Sequence, residues 1–286
     1  MVGSLRRVVV KRPEEAFRSR SSIEGQWKAL AYTRPPDLDR AGREHKSFVT
    51  LLEHAGAEIL YLPADDRTGM DSIYAHDPVL MTGAGAVIFQ TGKPARRGEG
   101  PAFADALKTW EIPVLGVVDG PATAEAGDMV WLDPQTLLVG RSFRTNGAGI
   151  EKLSEILRPL AVNVIPVHLP YWKGPEEVLH LMSFLSLLDR DLAVVYRRLM
   201  PVPLVEILGE RGVCLVDVPE EEYESMGCNV LALSPRNAVV VKGNPITRSR
   251  LEAAGCRVSE FDGEEICFPG AGGPTCLTRP VFRSLE

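Results

Sequence analysis

Two hydrophobic rhythms follow one another along this chain in a fixed order. Four stretches alternate with a short period and read as β-hairpins, each a pair of apolar strands around a turn. They are Val79–Phe89 around Gly83-Ala-Gly85, Met129–Val139 around Asp133-Pro-Gln135, Phe184–Tyr196 around Asp189-Arg-Asp191, and Val230–Val241 around Ser234-Pro-Arg-Asn237. Their starts lie 50, 55 and 46 residues apart. Each is preceded by a short isolated strand: Glu58–Pro63, Ile112–Val118, Val162–Leu169 and Val213–Val218, with a fifth at Cys256–Phe261. Before each of those strands, apolar residues recur every three or four positions with charges between them, which predicts amphipathic helices. These helices cover Leu38–Ala55, Pro101–Trp110, Ile150–Leu160, Pro203–Glu210 and Arg248–Ala254.

The unit is therefore helix, strand, loop, hairpin, and it occurs five times. The fifth unit has only one hairpin strand, Leu277–Phe282, and Arg6–Arg12 is a strand with no repeat of its own. If these two strands pair, a ring of five closes and both open sheet edges are removed. An ordinary open α/β sheet is the alternative, but the repeat count and the orphan end strands agree on the ring. The predicted fold is a five-bladed, pseudo-symmetric α/β propeller, one domain over residues 1–286. In such a ring the strand-to-hairpin loops converge on one end of the axis. Those loops hold Asp71 to Asp77, Glu125-Ala-Gly-Asp128, His180, Gly227-Cys-Asn229 and Pro274-Thr-Cys276.

Composition narrows the function classes. Of the 286 residues, 45% are hydrophobic and 24% charged, which excludes disorder, collagen and a coiled coil. The net charge of −6 argues against a nucleic-acid surface, which needs clustered Lys and Arg. No apolar run approaches the roughly 18–20 residues that span a bilayer. The Val8–Val10 run is shorter than a signal-peptide core, so a cytoplasmic location is expected. The five cysteines are an odd number with no CxxC pair, which argues against a disulfide framework and leaves room for one reactive thiol.

Cys276 is the candidate nucleophile. It follows the Gly270-Ala-Gly-Gly273 run, whose lack of side chains lets backbone pack close to a ligand. Cys214 and Cys256 lie in or beside apolar strands and read as small buried residues, whereas Cys267 reads as exposed. A thiol needs a base or cation to ionise, and among the histidines only His180 and His76 occupy mouth positions, while His45 and His54 read as solvent-facing on the first helix. Asp71, Asp77, Glu125 and Asp128 have three readings. They are solvated turn charges, or metal ligands without an HxH or HExxH spacing, or partners of a bound guanidinium, whose planar fork matches carboxylates. A cysteine facing a guanidinium carbon makes chemical sense, because the carbon is electrophilic and the cation favours the thiolate. Arg96, Arg97 and Arg144 are candidates to hold a substrate carboxylate.

At these residues the chain resembles the guanidino-modifying, or pentein, superfamily of dimethylarginine dimethylaminohydrolases, arginine deiminases and amidinotransferases. The matching pieces are Asp71-Ser-Ile-Tyr-Ala-His-Asp77, Lys93-Pro-Ala-Arg-Arg97, Glu125-Ala-Gly-Asp128, Arg141-Ser-Phe-Arg-Thr-Asn146, His180-Leu-Met-Ser183 and Cys276, in that order over essentially the whole chain. The length is closest to the dimethylargininase branch, without the helical insertion of the deiminases. The resemblance implies that Cys276 attacks the guanidinium carbon, that His180 first protonates the leaving amine and then activates water, and that Glu125 orients His180. It further implies that Asp77, beside His76, grips the guanidinium, that Asp71 binds the α-amino group, that Arg96 and Arg144 bind the α-carboxylate, and that Leu30 covers the bound ligand. No metal or organic cofactor is implied, and the partner is a small guanidino substrate; a homo-oligomer stays open. His76, Met182 and Ala126 depart from the usual acidic, basic and glycine residues. The implied activity is hydrolysis of arginine or an N-methylated arginine to citrulline. The alternatives are amidino transfer to another amine and a non-catalytic propeller.

Overall fold

The computed structural model describes residues 2–285 and consists of five three-stranded sheets, each flanked by a helix. The chain opens with β1 (Ser4–Val10) and two short helices, α1 (Pro13–Ala16) and α2 (Arg20–Gln26), that periodicity did not mark. Both start on local chemistry. Pro13 stands in the first turn of α1, where its missing N–H has no partner to lose, and the Ser19 hydroxyl accepts the Ser22 N–H at 3.1 Å to cap α2. Then come α3 (Leu38–His54) and β2 (Glu58–Tyr61). The second blade contains β3 (Val79–Thr82), β4 (Gly85–Phe89), α4 (Glu99–Thr109) and β5 (Val114–Val118). The third contains β6 (Met129–Asp133), β7 (Thr136–Arg141), α5 (Gly147–Leu157) and β8 (Asn163–His168). The fourth contains β9 (Leu185–Asp189), β10 (Leu192–Val195), α6 (Val202–Glu210) and β11 (Cys214–Asp217). The fifth contains β12 (Leu231–Ser234), β13 (Asn237–Val241), α7 (Pro245–Ala253) and β14 (Arg257–Phe261), and β15 (Arg279–Ser284) ends the chain.

All four predicted hairpins form, and β1 pairs antiparallel with β15 as expected. The grouping differs in phase. Each hairpin takes as its third strand the one that follows it, parallel and reached through a helix, not the one that precedes it. Parallel neighbours require such a crossover, and here each crossover is one amphipathic helix. A second difference concerns edges. The β1–β15 pair completes one blade, β15-β1-β2, but each blade remains a separate sheet with two edges. The middle strands β4, β7, β10 and β13 are buried along almost their whole length, whereas β2, β5, β8, β11 and β14 are half-exposed. That gradient, from a buried middle to a wet rim, belongs to blades arranged around an axis.

Burial corrects three sequence readings. His45 is buried, and burial holds its imidazole neutral with a pKa lowered to about 4. Cys267 is buried and Cys214 is exposed, the reverse of what their flanks suggested. No helix among the described residues is long and apolar enough to cross a membrane.

Phe89 ends β4 fully buried in a cluster with Val118, Leu137, Val139 and Leu153, which joins two blades. Phe89→Ala should lower unfolding free energy by about 3–5 kcal/mol, read by urea denaturation. A loss under about 1 kcal/mol would mean that this seam does not hold the blades together.

Candidate active site

The nucleophile loop is shaped by close approach. A Cβ on Gly272 would collide with the Tyr74 ring, and one on Gly273 would sit 2.5 Å from Asn229 Cγ. Glycine lets the chain pass between them and deliver Cys276. The thiol is pinned rather than free. Asn229 Nδ2 donates to Sγ at 3.2 Å while Asn229 Oδ1 accepts the Thr275 N–H at 3.0 Å. The His76 N–H donates to the Cys276 carbonyl at 3.2 Å, which ties this loop to the one carrying Asp77. Burial pushes the thiol up to about 11, with the Asp77 carboxylate adding to it and the Asn229 amide opposing. Asn229 is a site residue that sequence reasoning missed. Its only signal was its mouth position beside Cys228, which is itself buried with its thiol pushed up by burial.

His180 lies at the start of the short turn Leu181–Ser183, fixed there by its N–H donating to Ser183 Oγ at 3.0 Å. Its ring packs on Gly127 so tightly that a Cβ there would collide with Nδ1. Its Nε2 bonds Glu125 Oε2 at 2.8 Å, and Nδ1 lies 4.0 Å from Asp77 Oδ1, outside hydrogen-bond range. Burial disfavours the imidazolium, but the carboxylates of Asp77, Asp128 and Glu125 outweigh it and lift its pKa to about 9. Glu125 is fully buried; burial opposes its charge, yet the bond to His180 keeps it ionised below the usual carboxylate range. Its other oxygen accepts the Lys93 N–H at 3.1 Å. Asp128 supports the pair from behind, accepting the Ser142 hydroxyl at 2.6 Å and the Leu181 N–H at 3.0 Å.

The structure gathers the other predicted residues at the same mouth, with contacts that differ from those implied. Arg96 is buried and four of its guanidinium's five N–H groups are committed. It donates to Asp77 Oδ2 at 2.5 Å, to Glu99 at 3.0 and 2.8 Å, and to the Tyr74 carbonyl at 2.9 Å. It therefore holds Asp77 in place rather than standing free for a substrate carboxylate. Asp77 in turn spends Oδ2 on Arg96 and Oδ1 on the Gly127 N–H at 3.1 Å, and its pKa is depressed against the pull of burial by Arg96 and His180. Arg144 is also buried, yet among the described residues its guanidinium makes no hydrogen bond and lies 3.8 Å from Glu125 Oε1. Arg97, by contrast, is exposed. His76 is kept neutral, its pKa lowered to about 3 by burial and by Arg279. Its Nδ1 bonds the Thr278 carbonyl at 2.8 Å and its Nε2 is a buried acceptor without a partner among the described residues. Asp71 Oδ2 accepts Lys93 Nζ at 2.6 Å, and the same Nζ reaches the Leu30 carbonyl at 2.9 Å. Leu30 is buried in the segment after α2, which Thr33 fastens to the nucleophile loop through the Pro269 carbonyl at 2.8 Å.

Asp77, Glu125 and His180 bring ligand atoms within 4.8 Å of one another, a spacing that suits a chelate. Each of the carboxylate oxygens, however, already accepts one hydrogen bond, from Arg96, Gly127, Lys93 or His180, and the Arg96 and Arg144 guanidinium groups would repel a dication. The donor set fits a proton-transfer group better than a metal site.

Gly127→Ala should push the His180 ring off Glu125. Without that partner the imidazolium loses stabilisation, so its pKa should fall from about 9 toward the ordinary histidine value. An NMR titration of the ring should register a drop of roughly one unit or more. An unchanged titration would show that the ring does not depend on the glycine seat.

Comparison with known proteins agrees with this geometry. A family profile described as N,N dimethylarginine dimethylhydrolase, eukaryotic, matches residues 26–283. The N(G),N(G)-dimethylarginine dimethylaminohydrolase of Pseudomonas aeruginosa is 28% identical over 260 residues, covering 91% of this chain and 95% of that one. An arginine deiminase of Listeria monocytogenes is 27% identical over 252 residues, but this chain spans only 60% of its length. In three dimensions the P. aeruginosa enzyme, solved as a cysteine-to-serine mutant with citrulline, superposes with a TM-score of 0.78 at 25% identity, covering 96% of this chain and 98% of that one. The five-bladed architecture is thus that of the pentein fold, the profile match takes in every site residue named above, and the chain belongs to the dimethylarginine dimethylaminohydrolase family.

Proposed function

We propose that this protein is a cysteine-dependent hydrolase of a small guanidino acid, with arginine and its N-methylated forms the first candidates from the names of its relatives. One observation carries the reading. A pinned thiol and an imidazolium held by a buried carboxylate both lie near Asp77, and the imidazolium's Nδ1 proton is uncommitted. In the free enzyme the thiol is neutral and the imidazole charged. A guanidinium entering between Cys276 and Asp77 replaces the lost solvation of a thiolate with its own charge, and the thiol proton leaves to water, since His180 is already protonated. The thiolate sulfur bonds the guanidinium carbon. The carbon–nitrogen bond breaks as His180 passes its Nδ1 proton to the departing amine, leaving a thiouronium on Cys276. Water then attacks that carbon, neutral His180 takes its proton, and the carbon–sulfur bond breaks to release a ureido product and the thiol. Glu125 keeps the imidazole in register throughout. Asp77 and the unpartnered His76 Nε2 accept N–H groups of the guanidinium, and Arg144, buried with free donors, receives the carboxylate. Leu30 and its segment exclude water until the amine has left.

The direct test is product release from arginine, N-monomethylarginine and asymmetric dimethylarginine. Citrulline should form without an added amine acceptor, and Cys276→Ser should lower kcat by at least about a thousandfold. Turnover that requires an acceptor amine would make the protein a transferase, and unchanged turnover in Cys276→Ser would remove the thiol from the mechanism.

The charge argument makes a second, independent expectation. Iodoacetamide should alkylate Cys276 with an apparent pKa near 11 in the free protein. A bound guanidinium analogue that leaves the sulfur accessible should lower that value. The sign follows from the cause: burial and Asp77 raise the free value, and only an added cation offsets them. Equal apparent values with and without the analogue would end the case for substrate-assisted ionisation.

A further inference from the structure

Lys93 makes two separate sets of contacts. Its backbone N–H holds Glu125 Oε1 at 3.1 Å, and its side chain ends between Asp71 Oδ2 at 2.6 Å and the Leu30 carbonyl at 2.9 Å. A carboxylate oxygen and a carbonyl oxygen converging on one nitrogen are the acceptor set of a bound ammonium. Asp71 is buried on the turn Met70–Ile73, and Leu30 belongs to the segment that Thr33 fastens to the nucleophile loop. The site therefore contains a made-up ammonium pocket, and the chain's own lysine occupies it.

We infer that Lys93 is a specificity-determining residue: by filling this ammonium pocket it makes the enzyme favour guanidino acids that carry no amino group beside the carboxylate over arginine and its N-methylated forms. The inference rests on the guanidino-hydrolase reading above and names the substrate class within it. An incoming α-ammonium meets a like charge in a half-buried setting. To reach Asp71 it must displace Lys93 Nζ, and exchanging one ammonium for another returns the same contacts, so the amino group adds nothing to affinity. The displaced lysine also lets go of Leu30, loosening the cover over the site. A guanidino acid without the amino group leaves the Asp71–Lys93–Leu30 bridge intact. Its carboxylate then meets two cations, Arg144 and Lys93, with only one of them paired to a carboxylate within 3 Å.

The test uses two compounds with the same guanidino end and chain length, L-arginine and its deamino analogue, 5-guanidinopentanoate. The native protein should show kcat/KM for the deamino compound about tenfold or more above that for arginine. Lys93→Met keeps the backbone N–H on Glu125 and much of the side-chain volume, but empties the ammonium pocket. It should reverse the ratio, chiefly through a lower KM for arginine. Calorimetric binding of both compounds to Cys276→Ser, with and without Lys93→Met, reads the same preference where turnover is slow, and Lys93→Gln serves if the methionine variant does not fold. A native preference for arginine, or a ratio that Lys93→Met leaves unmoved, overturns the role of Lys93 and leaves the hydrolase reading standing. Turnover of neither compound and of no N-methylated arginine overturns the hydrolase reading, while the binding ratio still decides Lys93.

Discussion

The buried carboxylate of Asp77 is tolerable only because the Arg96 guanidinium lies against it, and much of the mouth is arranged around that pair. An ionised carboxylate away from water is costly, by several kcal/mol in a real protein, unless a partner and further hydrogen bonds replace its solvation. Arg96 supplies the charge and Gly127 the backbone N–H. Arg96 in turn must be held, and Glu99, at the first residue of α4, takes it with two bonds while the Tyr74 carbonyl takes a third. The network thus runs from a helix N-terminus through the cation to the carboxylate that faces the thiol. The other charges pair off in the same way, Glu125 with His180 and Asp71 with Lys93. Because these partners are fixed by blades and loops distant in sequence, the field at the mouth is set before any ligand arrives.

That field decides which proton is where. Three carboxylates around one imidazole favour its charged form, and one of them, Asp77, disfavours a thiolate nearby. A catalytic cysteine paired directly with a histidine commonly sits as thiolate and imidazolium. Here burial, with Asp77, raises the thiol while the carboxylates raise the ring, which favours a neutral thiol and a charged ring in the free protein. A weakly nucleophilic resting thiol is less open to oxidation and stray electrophiles. In the mechanism proposed above, the nucleophile forms only in the presence of a cation of the right shape, so that specificity and activation would be one event.

Much of this was legible in the sequence, and the gaps have physical causes. The hairpins at Val79, Met129, Phe184 and Val230 could be read because alternation and turn residues are local signals. Which strand joins each hairpin could not, because parallel pairing through α4 to α7 is chosen by the packing of whole elements. Cys276, His180, Glu125 and Asp77 stood out as reactive types at corresponding loop positions. Asn229 did not, since its bond to Cys276 crosses 47 residues and an Asn in a loop is ordinarily a turn residue. Arg96 stood out as a candidate partner of a substrate carboxylate, but whether a guanidinium faces inward to Glu99 or outward to a ligand depends on contacts from another element. The burial of His45 and Cys267 likewise comes from neighbours that no local pattern names.

The two faces of Lys93 show how such a site can change its substrate without losing its chemistry. The residue orients Glu125 through a backbone N–H, which any residue except proline would supply. It reaches the tail pocket through its side chain, which the bond to Glu125 does not constrain. A substitution there alters what the far end of a ligand meets while the imidazole, its carboxylate and the pinned thiol keep their positions. Asp77 has no such freedom, because its two oxygens are bound by different parts of the chain and both contacts fix the reacting end. The mouth therefore divides into a rigid end, where charges are interlocked, and an adjustable end, where one arm can be exchanged. The convergence of loops from separate blades makes that division available, because each end is built from different loops.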